Sequence, residues 1–150
     1  MSPDSLTYRT VHLLADAFDV AVTLLALGVP ALRRSWRGRR VYAQFLFASL
    51  AGLCVAFGFG TMSGFWASLG LNYSSHAAYV ASLATSIACW DRRWILPLVL
   101  AVAVYGLLLC GLGFHGPMDV MMAAGLAVPA TRALHQLLGP QGRAAASAAP

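Results

Sequence analysis

The sequence predicts an all-α, polytopic membrane bundle of about five helices, and three observations carry that prediction. The chain is 59% hydrophobic and only 10% charged, with a mean hydropathy of +0.71, whereas soluble domains are roughly 25% charged. Apolar runs of about 18–22 residues recur along it, the length a helix needs to cross a bilayer. No stretch sustains the period-2 alternation of a membrane β-strand. The length bounds the chain to one domain, residues 1–138, followed by an Ala/Gly/Pro-rich tail at 139–150 expected to be disordered and cytoplasmic.

The opening Met1-Ser2-Pro3-Asp4 lacks the basic region and small-residue cleavage site of a signal peptide, so the first apolar helix is expected to stay in the protein. That helix covers about 10–32. His12, Asp16 and Asp19 fall near one of its faces, and Pro30 signals its exit. A basic loop follows, then a second helix at about 41–58. Residues 60–75 are too interrupted by Gly and Ser to span, and read as a loop with at most a short surface helix. Trp66 and Tyr73 read as interfacial aromatics there. A third helix covers about 74–90, and Asp91-Arg92-Arg93 makes a tight loop. The fourth helix, 94–113, tolerates Pro97 in its first turn, and the fifth, 117–138, carries Pro129 as a kink.

The net charge of +5 would suit a polyanion, but its placement points to topology. There is no Lys and no Glu, and most of the Arg sits in short gaps between apolar runs. No nucleic-acid partner is expected. With five spans, the 33–40 loop, the 91–93 loop and the C-terminal end share one side and all the Arg except Arg9. The positive-inside rule makes that side cytoplasmic. The N-terminus then lies outside, the C-terminus inside, and both His76 and His115 face outward. Cys54, Cys89 and Cys110 lie within apolar runs without a CxxC pair. They read as small hydrophobes, and neither a metal nor a cofactor is expected.

Two polar breaks carry the chemistry: Tyr73-Ser74-Ser75-His76, and Gly113-Phe114-His115-Gly116-Pro117-Met118-Asp119-Val120. Each has a bland reading as a helix start. Pro117 suits the first helical position, Gly116 the N-cap and Asp119 the third position, where a carboxylate favours the helix dipole. The functional reading adds that Asp119 is one turn beyond His115. It could accept a bond from one ring nitrogen and free the other to attack. His76 would supply the acid for a leaving group, with Ser74 or Ser75 as N-cap. Two helix N-termini beside two histidines make an anion cradle. From His76 to Trp90 a helix spans about 22 Å, short of a hydrocarbon core of roughly 30 Å. That puts His76 at headgroup depth. Arg9 is the one outward Arg available to a phosphate. Asp16 and Asp19 are costly inside a membrane. They either pair with His12, or line a headgroup pocket suited to a cation, or belong to a proton relay.

Tyr73-Ser74-Ser75-His76 resembles the (Y/F)-S-G-H motif of the lipid phosphate phosphatase superfamily, and His115-Gly116-Pro117-Met118-Asp119-Val120 resembles its H-Y-x-x-D-V motif. Arg92-Arg93-Trp94 between them is similar to an Arg-Arg-Trp of the sphingomyelin synthase-like branch. The resemblance covers about residues 60–135. Ser75 stands where the motif has Gly, Ala77 where the synthases have Thr, and Leu109 where the phosphatases have Arg. The missing Arg favours the synthase branch.

The resemblance implies that His115 takes the phosphoryl group covalently, that Asp119 orients it, and that His76 serves the leaving and accepting oxygens. Tyr73, Ser74, Ser75, Asp16, Asp19 and Arg9 are candidates for substrate contact. The expected function is transfer of a phospho-headgroup from a phospholipid to a ceramide- or diacylglycerol-type alcohol. The alternatives are a lipid phosphatase that uses water, and a non-catalytic relative.

Overall fold

The computed structural model describes residues 6–32 and 38–138. The centre of the expected basic loop and the C-terminal tail lie outside the described residues, as do the side chains of Arg9, His12, Arg39 and Arg40. Every described regular element is helical. They are α1 (Leu6–Leu32), α2 (Gly38–Gly60), a short α3 (Ser63–Ser68), α4 (Ser75–Trp90), a 3-10 turn at Arg92–Trp94, α5 (Ile95–Gly111) and α6 (Pro117–Leu138). Two stretches are long and apolar enough to cross a bilayer, Val41–Gly60 and Arg92–Gly111, with mean hydropathies of 1.8 and 2.3.

The breaks between helices have local causes. Ser74 accepts a hydrogen bond from the Ala77 amide and caps α4. Asp91 caps the following turn by accepting from the Arg93 amide. After α5 the chain turns at Gly113, whose φ of 73° is open to glycine and strained for other residues. After α3, Gly70 takes φ 69°, while its amide and that of Leu71 return to the carbonyls of Ala67 and Trp66. This pair of bonds is a Schellman ending, and it aims the chain back under the bundle towards Tyr73.

α4 is the hub, packing against α1, α2, α5 and α6. Small residues permit this: Ala77, Ala78, Ala81, Ala84, Ser82 and Ser86 are all buried. Large side chains point the other way. Leu96, Leu100, Val104 and Leu107 of α5 are exposed, as are Leu13, Leu14 and Leu24 of α1. Small residues inside and leucines outside is how helices pack where the solvent is hydrocarbon.

A buried polar seam closes the end of the bundle away from the two breaks. His135 Nε2 lies 2.9 Å from Ser86 Oγ and 3.4 Å from Ser49 Oγ, so one imidazole on α6 meets hydroxyls of α4 and α2. One turn earlier on α6, Thr131 donates to Ser82 at 3.0 Å. None of this seam is expected from the sequence reading, which takes residues 117–138 simply as an apolar span. α2 follows α6 closely along the seam. A Cβ added at Gly52 would stand 2.8 Å from Thr131 Oγ1, in a site that cannot open without parting Thr131 from Ser82.

Gly52→Ala should therefore lower thermal stability in detergent, at about 1–3 kcal/mol for overpacking a filled contact. Gly125→Ala, where nothing lies within 4 Å of the added carbon, should be neutral or slightly stabilising. Equal melting temperatures for the two variants would contradict this packing.

Candidate functional site

The lead-in to the first polar break is tied to the second, although His115 and Asp119 do not line the cavity beside His76. The Asn72 amide, just before the first break, donates to Asp119 Oδ1 at 2.8 Å. Asp119 Oδ2 accepts from the Gly116 amide, also at 2.8 Å, and the Gly116 carbonyl accepts in return from the Asp119 amide. Asp119 thus makes the third-position half of a capping box on α6, with the Gly116 carbonyl closing the turn in place of an N-cap side chain, and adds a bond to the loop that leads into α4.

This corrects the expected role of Asp119. Each of its oxygens already holds a backbone N–H, and it does not hydrogen-bond His115, whose Nδ1 is buried without a partner. The Asn72 amide, followed by the Gly116 amide and the charge of His115, holds the Asp119 carboxyl below the usual carboxylate range against the opposing effect of burial. A carboxylate one turn into a helix satisfies an otherwise orphaned amide at the N-cap, and that local bond takes precedence here over the histidine.

The other histidine has the orienting acid. His76 Nδ1 lies 3.0 Å from Asp19 Oδ2, and Asp19 Oδ1 accepts from the Tyr105 hydroxyl at 2.8 Å. A carboxylate only accepts, so Nδ1 carries the proton and Nε2 keeps its lone pair when the ring is neutral. The His76 side chain is 52% exposed and Asp19 19%, so the ring can be reached from outside while Nδ1 is held by the carboxylate. Phe18 stacks on the Tyr105 ring with centroids 4.7 Å apart, which fixes the phenol beside Asp19. Asp19 is midway along α1, about 20 Å from either end at 1.5 Å per residue. The site is therefore recessed relative to the ends of α1.

Next to this dyad a cavity of about 350 Å³ opens between α1, α2 and α4. Asp19, Ser75 and His76 form its polar end, and Val20, Leu24 and Phe57 its apolar walls. Thr23 and Tyr79 also line it. Thr23 Oγ1 donates to the Asp19 carbonyl at 2.7 Å, so it accepts from the Tyr79 hydroxyl in the contact between them.

The remaining candidates are dispersed. Ser74 is fully buried as the α4 cap. Tyr73 is turned away from the cavity, donating to the Ala56 carbonyl at 2.8 Å and stacking on Trp66. Trp66 in turn donates to the Phe59 carbonyl at 2.7 Å, which also accepts from the Met62 amide at the end of α2. Both aromatics are buried anchors of α2 rather than the interfacial residues expected. Burial pushes the Tyr73 hydroxyl up to about 12, well above the usual phenol range. Asp16 is exposed and is not among the cavity's lining residues. Arg9 contributes no described side chain. Among the described residues no cluster of His, Cys, Asp or Glu could hold a metal ion.

Sequence reasoning missed Tyr105, Thr23, Tyr79 and Asn72. A hydroxyl inside the apolar run of α5 was the available signal for Tyr105, since such groups need a partner there. Asn72 acts through its backbone and leaves no signal in its side chain. Set against family models, curated proteins and solved structures, the chain matches none.

Asp119→Ala should cost about 0.5–2 kcal/mol of thermal stability, the usual loss with a helix cap, and Asp119→Asn, which keeps one accepting oxygen, should cost less. Tyr73→Phe should cost about 1 kcal/mol through the lost bond to Ala56 and leave any turnover unchanged. Melting curves with parallel activity measurements check both. A stable Asp119→Ala protein would contradict the double capping.

Proposed function

We propose that this chain is a multi-pass membrane protein with about five spans that transfers a phospho-headgroup from a phospholipid to a ceramide- or diacylglycerol-type alcohol. The observation that carries the reading is the pairing of His76 with Asp19, at the polar end of an apolar cavity and on a helix whose lead-in is tied to Asp119 of the second break. A histidine with one nitrogen on a carboxylate and a ring that can be reached from outside is built for proton transfer. The resemblance of both breaks to lipid phosphotransferase motifs supports the reading from the sequence side. The outward leucines support the membrane setting, and the Arg distribution supports a site on the outer face with the N-terminus out and the C-terminus cytoplasmic.

The step proceeds as follows. A His115 ring nitrogen attacks phosphorus, the phosphorus–oxygen bond to the diacylglycerol breaks, and protonated His76 gives its Nε2 proton to the departing oxygen. The headgroup phosphate is then held on a His115 ring nitrogen, as a phosphoimidazolium. His76, now neutral, takes the proton of the incoming alcohol. That oxygen attacks phosphorus, the nitrogen–phosphorus bond breaks, and both histidines are restored. Asp19 holds the His76 tautomer throughout, and Asp119 holds the two helix starts together.

In proteoliposomes containing phosphatidylcholine and a fluorescent ceramide, the headgroup should appear on the ceramide. His76→Ala and His115→Ala should each reduce the rate about 10²–10⁴-fold, the usual range for a positioned acid or base. Release of the phospho-headgroup to water with no ceramide product would make the protein a hydrolase instead. Unchanged turnover in His115→Ala would overturn the mechanism.

A further inference from the structure

We infer that the cavity between α1, α2 and α4 seats one hydrocarbon chain of the lipid alcohol, with its hydroxyl on His76 Nε2 and its tail along Val20, Leu24 and Phe57. The inference rests on the proposed function only for the phosphoryl group; the binding needs none.

The cavity has a graded lining. At one end are His76, Asp19 and Ser75; along its length are apolar side chains. The His76 Nε2 lone pair needs a donor, and an alcohol brings one hydroxyl and one tail. Asp19 and Tyr105 already satisfy each other, and Thr23 and Tyr79 do likewise, so the deeper polar groups make no demand on an occupant. At roughly 30 Å³ per water-sized group, a volume of 350 Å³ holds about a dozen methylene-sized units, enough for most of one chain and too little for two. A helix about 10 Å across would not enter it.

The apolar walls are open to the surroundings. Val20, Leu24 and Phe57 are 58%, 64% and 47% exposed, and α1 touches α2 only slightly, being held chiefly by α4. A chain can thus slide in laterally from surrounding lipid, while the second chain of a two-chain alcohol stays outside. Water, by contrast, gains nothing from three large apolar walls. The groove therefore gives the transfer reaction a reason to prefer a lipid acceptor.

The test uses the full-length His115→Ala protein in phosphatidylcholine vesicles, labelled with a single-chain primary alcohol carrying a mid-chain photoreactive diazirine. Labelling should concentrate on Val20, Leu24 and Phe57 and exceed that of the outward α5 residues Leu100 and Leu107 at least five-fold. Leu24→Trp, which fills the groove, should abolish that excess. Leu100→Trp, the same change on an outward face, should preserve it. Labelling spread evenly over groove and outer faces, or an excess that survives Leu24→Trp, would overturn the inference. Groove labelling, together with no headgroup transfer by the protein that retains His115, would keep the groove and remove the proposed reaction. Transfer with even labelling would do the reverse.

Discussion

A carboxylate midway along an apolar helix is stable only if donors replace the water it has lost. Asp19 is such a carboxylate, and it sets the arrangement around it. Tyr105 from α5 and His76 from α4 each give it a hydrogen, so one side chain of α1 fixes the position of two other helices. Phe18, its neighbour in sequence, stacks on Tyr105 and removes that ring's freedom. Deleting either donor would leave the Asp19 carboxylate with one side-chain partner fewer, which is why the three groups act as one unit.

A second carboxylate does the corresponding work at the bundle end. Asp119 bonds no side chain through the contacts that define its position. It takes the amides of Gly116 and Asn72 and so joins the start of α6 to the lead-in of α4. Around this end the aromatic pair Trp66 and Tyr73 donates to α2 carbonyls. At the opposite end, the His135 and Thr131 seam clamps α6 onto α4 and α2. The bundle is thus held by directional bonds at both ends and by small residues between them. Where the surroundings are apolar, leucines cannot drive helices together, so close backbone approach and hydrogen bonding must.

Much of the fold was legible because its signals are local. Pro117 and Asp119 mark the start of α6, Ser74 marks that of α4, and the Gly- and Ser-rich stretch before Tyr73 correctly reads as too broken for a span. The bond that joins the lead-in of the first break to the second runs through the backbone amide of Asn72, which the sequence does not mark. What stayed hidden is pairing between distant segments. Asp19 was a candidate, but nothing near it in sequence names His76 or Tyr105, which lie 57 and 86 residues away. His12, on the same face and closer in sequence, was the more obvious partner. The role given to Asp119 failed for a related reason. One-turn spacing puts a carboxylate within reach of both a histidine and its own helix cap, and only the three-dimensional arrangement shows which it takes.

The central claim is that the two breaks form one site, with His115 carrying the phosphoryl group and His76 moving the protons. A phosphocholine ester of p-nitrophenol separates the two roles, since its leaving group needs no proton from His76. In a His76→Gln protein this donor should give a single burst of nitrophenol. The phosphocholine should remain on His115, found by mass spectrometry of rapidly quenched, alkaline-digested protein. Steady turnover without a burst, or a label on any residue other than His115, would contradict the account.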